Sequence, residues 1–171
     1  MNLHPRISVK QSEQIVYTGC VFTGSGNGVI RCSPLGSCIA VLAYDASTKI
    51  GGLAHIMLPG KSDIGQKENK YAENAFENLI YALKKKGAKI RDTEICIVGG
   101  ANVLRKEKDT IAEKLFQNVI AIAKKKNLTV KKIAIGGYER RTASLNLNVG
   151  TVNFTIGDSQ EKELHQFQVS K

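Results

Sequence analysis

The chain has 171 residues, 42% hydrophobic and 23% charged, a size that a single core can organise and a balance ordinary for a globular protein. No run approaches the roughly 18–20 apolar residues of a membrane span, and the N-terminal MNLHPRISVKQSEQ lacks the apolar centre of a signal peptide, so a cytoplasmic protein without membrane insertion is expected. The net charge of +10 sits almost wholly in the second half: residues 1–83 hold seven Lys/Arg against six Asp/Glu, and residues 84–171 hold eighteen against nine. Lysines at helix C-termini complement the helix dipole, and such a surface also attracts acidic partners. Nucleic acid is not expected as a partner, because no binding motif is present and the five Phe and five Tyr are dispersed rather than gathered into a stacking platform.

In chain order, residues 1–13 read as a loose lead-in. Gln14 to Phe22 and Gly28 to Cys32 are β-prone, separated by the turn-forming Thr23-Gly24-Ser25-Gly26-Asn27-Gly28. No helix follows those glycines, which argues against a phosphate loop. The apolar runs Ile39–Tyr44 and Ile50–Leu58, interrupted by Asp45-Ala46-Ser47-Thr48, predict a hairpin of buried strands. Gly60 to Asn69 is polar and reads as a loop at the rim of whatever the hairpin carries. Helical spacing from Glu68 to Lys86, closed by Gly87, predicts a first helix, and Glu94–Val98 a strand ending in Gly99-Gly100. A second helix over 110–126 is marked by Thr110 and Glu113 in capping-box spacing and buries Ile111, Leu115, Val119 and Ile122. A strand over 129–135 ends in Gly136-Gly137, so the order helix, Lys-Lys-Lys, strand, Gly-Gly occurs twice. Residues 143–149 and 151–156 predict an antiparallel pair, and residues 158–171 a polar tail or short docking helix. One domain over 1–157 followed by that tail is the resulting organisation.

Cys20, Cys32, Cys38 and Cys96 have no CxxC spacing and are expected to be reduced, with Cys20 and Cys96 serving as packing residues. Cys38 differs, because it follows the tight turn Leu35-Gly36-Ser37 and precedes His55 by seventeen residues on the partner strand of the hairpin. Antiparallel pairing brings an early residue of one run near a late residue of the next. An imidazole placed there would accept the thiol proton and later return it to a leaving amine. Backbone N–H groups around Gly36 and Ser37 would face a developing oxyanion, with Gly36 allowing the backbone angle that the turn needs. The residues alone leave other readings open: His55 as a satisfied histidine at a strand end, or a metal site of Cys32, Cys38 and His55, which lacks a fourth ligand and standard spacing.

The segments LGSCIAVLAYD at 35–45 and GGLAHIMLP at 51–59 resemble the signature of CheD-type chemoreceptor glutamine deamidases. The resemblance continues through KYAENAFENLIYALKKKGA at 70–88, IVGGANV at 97–103 and IGGYERRTASLNLNVGTV at 135–152. It implies an α/β fold, a layered α-β sandwich of mixed or antiparallel β-structure covered by two main helices, with the nucleophile at a strand edge. It also implies a Cys-His amidohydrolase without a cofactor. That enzyme converts glutamines of methyl-accepting chemotaxis receptors to glutamate through a thioester on Cys38, and would hydrolyse receptor methyl esters through the same intermediate. CheC-type phosphatases are the partners it implies. Two positions depart from the family pattern. The family's third active-site residue is a threonine six positions before the nucleophile, where this chain has Cys32. A thiol is a weaker hydrogen-bonding group than a hydroxyl, and the neighbouring Ser33 would point to the opposite face of an extended strand. His55 would then be oriented by a backbone carbonyl, or the chain would act as a slow deamidase or as a non-enzymatic chemotaxis adaptor. Arg140 also replaces a usual glycine before Arg141.

Overall fold

The structure, a computed structural model, describes residues 10–65, 68–108 and 110–169, with Thr110 described by its backbone only. Strands β1 (Ser12–Val16), β2 (Val21–Ser25) and β3 (Gly28–Cys32) lead into the predicted hairpin β4 (Ile39–Asp45) and β5 (Ile50–Ile56). Helix α1 (Ala72–Lys86), strand β6 (Thr93–Gly99), helix α2 (Thr110–Lys125) and strand β7 (Thr129–Ile135) follow, and β8 (Arg141–Asn146), β9 (Thr151–Ile156) and β10 (Lys162–Gln166) complete the chain. Two five-stranded mixed sheets result, one in the order β1-β3-β8-β9-β10 and the other β2-β5-β4-β6-β7. The α/β class and the layering match the expectation.

Every residue of β4 and β5 is buried, as the uninterrupted apolar runs require of strands covered on both faces. Ile39, Val41, Ala43, Ala54 and Ile56 pack with Phe76 and Leu79 of α1 and Leu115 and Val119 of α2. Ala40, Leu42, Tyr44 and Leu53 pack instead with Ile30, Ala143, Leu145 and Val152 of the other sheet. The second sheet is therefore the middle layer, between the helices and the first sheet. Gly51 and Gly52 allow the close approach. A Cβ at Gly52 would lie 2.8 Å from Leu79 Cδ1, and one at Gly51 2.8 Å from Leu145 Cδ2.

Several expected boundaries move, each for a local reason. Gln14 to Phe22 is not one strand: the chain turns at Tyr17–Cys20, with Gly19 at φ +77°, and passes from the first sheet to the second. Ser12 and Glu13 belong to β1, Thr23 to Ser25 belong to β2, and the turn shrinks to Gly26-Asn27. Helix α1 begins at Ala72 rather than Glu68, because the Met57 and Leu58 N–H groups both donate to the Lys70 carbonyl and the next residue, Tyr71, bridged to Leu58, is extended at φ −91° and ψ 138°. Gly87 closes α1 as expected, in a left-handed conformation at φ +105°. Ile111 is 50% exposed rather than buried, whereas Leu115, Val119 and Ile122 are core residues. The predicted capping contact of Thr110 lies outside the described side chains. Residues 158–171, expected as a polar tail, instead supply edge strand β10, antiparallel to β9. Phe167 just beyond it is buried and stacks on Tyr44 at 5.7 Å.

The two helix–strand units place β6 and β7 side by side and parallel. Both lysine triplets fall at helix C-termini, where they oppose the negative end of the dipole. No helix of the described residues is long and apolar enough to cross a membrane.

Candidate active site

The hairpin register pairs Ala40 with His55 and Ile39 with Ile56. Cys38 stands two residues before Ala40, so strand alternation puts it on the same face as His55, as a diagonal neighbour. That face is the one turned toward the first sheet, and Cys38 packs against the inter-sheet cluster. The site therefore lies at the seam of the two sheets, at the N-terminal end of the central strand β4 rather than on an outer strand.

His55 is completely buried. Its Nδ1 lies 3.2 Å from the Val16 carbonyl oxygen and 3.3 Å from Ser33 Oγ. The expectation that Ser33 points away fails because β3 ends at Cys32. The Ser33 N–H turns to the Val16 carbonyl at 3.1 Å, Pro34 follows, and strand alternation no longer applies. Cys32, in the ladder, is directed elsewhere: its Sγ accepts from the Ala143 N–H at 3.2 Å, and burial pushes its thiol up to about 11. The histidine is thus held by a backbone carbonyl and a serine hydroxyl.

On the other side of the ring, Nε2 lies 3.3 Å from Thr18 Oγ1, and the Thr18 hydroxyl also acts on the Cys38 thiol, favouring its ionised form. Thr18 was not singled out from the sequence. It reaches His55 because the Tyr17–Cys20 turn is fastened to the histidine's own backbone: the Gly19 N–H donates to the His55 carbonyl at 2.9 Å and the His55 N–H to the Cys20 carbonyl at 3.0 Å. The only sequence signal is a Thr-Gly pair, which carries no chemistry until the β2–β5 register is known. Cys20 itself is exposed rather than packed, while Cys96 is buried as expected and its thiol is pushed up to about 12, mainly by burial.

The turn carrying Cys38 is braced from two sides. Leu35 and Arg141 exchange backbone hydrogen bonds of 2.7 and 3.0 Å, the Gly100 N–H donates to the Cys38 carbonyl at 2.9 Å, and the Ala101 N–H donates to the Gly36 carbonyl at 2.9 Å. The Arg141 guanidinium bonds the Gly136 carbonyl, and the Gly136 N–H donates to the Gly99 carbonyl at 3.1 Å. Both double glycines therefore serve this turn. The left-handed conformations belong to Gly99 and Gly100, at φ +126° and +62°, and not to Gly36. A Cβ on Gly36 would make only ordinary contact with Val103. Arg140 has no positive φ, so an arginine is accommodated where the family pattern has glycine. The Gly36 and Ser37 N–H groups donate to no described residue. Beside them is a recess of about 150 Å³ lined by Ser37, Val103, Leu104 and Ile111.

Burial raises the Cys38 pKa, opposed by the Thr18 hydroxyl. Burial lowers the His55 pKa, opposed by the Val16 carbonyl. Both shifts favour a neutral thiol beside a neutral imidazole over a preformed ion pair. No group of three or more His, Cys, Asp or Glu suited to a metal occurs among the described residues.

A family model described as CheD chemotactic sensory transduction matches residues 57–155, beginning just after His55. Over 155 residues, 90% of the chain and 77% of the relative, the chain is 39% identical to a probable chemoreceptor glutamine deamidase CheD of Chlorobium luteolum. It is 34% identical over 140 residues to the chemoreceptor glutamine deamidase CheD of Thermotoga maritima, covering 81% of the chain and 89% of that protein. A probable chemoreceptor glutamine deamidase CheD of Methanococcus vannielii is 37% identical over 72% of the chain and 82% of its own length.

Proposed function

The chain belongs to the CheD family, and from that premise we propose that it hydrolyses glutamine side-chain amides of chemoreceptors, with Cys38 as nucleophile and His55 as acid and base. The observation that carries the assignment is the placement of Cys38 and His55 on one face of a hairpin, with the Thr18 hydroxyl on His55 Nε2. In this reading the Nδ1 proton is held between the Val16 carbonyl and Ser33 Oγ, which leaves Nε2 as the basic nitrogen. Cys32 has no part in the chemistry, and the fold is that of a cysteine hydrolase.

The steps follow from the protonation states. His55 takes the thiol proton as sulfur attacks the amide carbon. The oxyanion is met by the N–H groups of Gly36 and Ser37, fixed in advance by the braces from Gly100, Ala101 and Arg141. The imidazolium then gives its proton to the departing nitrogen, so that ammonia leaves and a thioester remains. A water that loses a proton to His55 attacks the thioester, releasing glutamate and regenerating the thiol. A receptor methyl ester would pass through the same thioester with methanol as the leaving group. A CheC-type partner and a cytoplasmic setting rest on family membership. The adaptor alternative drew on Cys32 as a poor support for His55, and the Val16 and Ser33 contacts remove that ground.

The reading is tested by incubating the full chain with the cytoplasmic helical fragment of a chemoreceptor and measuring its intact mass. Each converted glutamine adds about one dalton, and the Cys38→Ala protein is expected to leave the fragment unchanged. No mass gain on any receptor fragment, or equal gain with Cys38→Ala, would overturn the assignment.

A further inference from the structure

A general base must exchange protons with groups that come and go, yet the imidazole of His55 has no exposed surface. Val16 and Ser33 occupy its Nδ1 side, and Thr18 covers Nε2. Thr18, in contrast, is exposed. Its hydroxyl contacts the buried nitrogen at 3.3 Å and acts on the partly exposed thiol, on a turn fastened to the backbone of the histidine it covers.

We propose that Thr18 is a catalytic residue of this chain, a hydroxyl relay that carries protons between Cys38 or bound substrate and His55 Nε2. The inference rests on the deamidase reading above. The direction of the relay follows from the other end of the ring. The Val16 carbonyl can only accept a hydrogen bond, so neutral His55 carries its proton on Nδ1 and Nε2 accepts from the Thr18 O–H. The Thr18 oxygen then accepts from the thiol. On attack the S–H bond breaks and an O–H bond forms at Thr18, while the original Thr18 O–H breaks and an N–H bond forms at Nε2. The net change is one proton moved from sulfur to nitrogen, with no change of oxidation state. Run in reverse, the same path delivers the proton to the departing ammonia. It takes up a proton again from the attacking water, without either having to enter the buried space around the ring. The charged groups on the adjoining segment, Lys70 and Glu68, pair with each other at 3.3 Å, and the titratable side chains on the turn itself, Tyr17 and Cys20, are exposed.

The inference also accounts for the tolerance of Cys32 at the family's threonine position. The orienting role falls to Val16 and Ser33 at Nδ1, and the hydroxyl that touches the reacting atoms comes from a different strand connection.

The test uses the full chain as wild type, Thr18→Val and Thr18→Ser, with two readouts. On a receptor fragment, Thr18→Val is expected to lower kcat by about 10²–10³-fold, within the range of a lost proton-transfer group, while KM changes less than about twofold. Thr18→Ser is expected to recover most of the rate. The second readout is iodoacetamide alkylation of Cys38 against pH, followed by peptide mass mapping so that exposed Cys20 is scored separately. Thr18→Val is expected to move the Cys38 profile to higher pH and Thr18→Ser to restore it. Unchanged kcat and an unchanged Cys38 profile in Thr18→Val would overturn the relay, as would a loss that serine fails to recover. If wild type deamidates no receptor fragment, the proposed function falls, and the alkylation profiles still decide whether Thr18 couples the thiol to the histidine.

Discussion

Replacing Gly99 by alanine is expected to lower the unfolding free energy by about 3 kcal/mol or more, the sum of backbone strain and steric displacement at one position. The backbone there has φ +126°, a conformation that L side chains rarely adopt, and the added Cβ would collide with the Cys38 carbonyl oxygen. Neither neighbour can yield independently. The Cys38 carbonyl is already bonded to the Gly100 N–H, and the Gly99 carbonyl to the Gly136 N–H. Relief of the clash must therefore move the turn that carries the thiol, and activity per folded molecule should fall as well. Gly26→Ala is the matched control. Gly26 has φ +82° with nothing within 4 Å of a built Cβ, so it reports strain without collision, about 1–2 kcal/mol. Urea denaturation of both variants, with kcat normalised to the folded fraction, measures the difference. Equal destabilisation and unaltered kcat in Gly99→Ala would mean that the double glycine does not position Cys38.

His55→Asn is expected to reduce kcat by about 10²–10⁴-fold, the contribution of a positioned acid–base group, and to remove the acid limb of the pH profile. The sign of that limb follows from burial. Desolvation disfavours the imidazolium, so the His55 pKa lies below its ordinary 6.5, and the neutral base persists as the pH falls through that value. The wild-type rate should hold below pH 6.5 and drop only as the buried ring takes up a proton. An acid limb centred above 6.5, or one that survives in His55→Asn, would assign the titration to another group. The same shift bears on stability: the unfolded chain binds this proton more readily than the folded one, so the protein should lose stability as the pH falls below about 6.5.

Much of the architecture was legible because the strongest patterns are local. The apolar runs of β4 and β5, the helical spacing of α1 and α2 and the Gly87 stop all depend on short-range chemistry, and their register put Cys38 and His55 on one face. The misplaced parts depend on contacts distant in sequence. Gln14 to Phe22 reads as one strand until Gly19 turns it between sheets. Residues 158–171 look polar because β10 is an edge strand, where Leu164 and Phe167 supply the contact with the core. Ser33 was excluded by a rule that holds inside a strand and lapses one residue beyond its end. Thr18 carried no motif, since its place beside His55 arises from backbone bonds between the Tyr17–Cys20 turn and β5. Composition and periodicity also contain no signal for the reaction itself. The reaction emerged from the family resemblance and then from the side chains gathered around Cys38.

The central claim is that Cys38 forms a thioester with a receptor glutamine. Acid-quenching a reaction of the full chain with a receptor fragment during turnover, followed by peptide mapping, measures this directly. A Cys38 peptide joined to a receptor peptide is expected, lighter than the sum of the two by the mass of ammonia and released by hydroxylamine. Receptor deamidation that proceeds at the wild-type rate with no adduct on Cys38, and continues in Cys38→Ala, would contradict it.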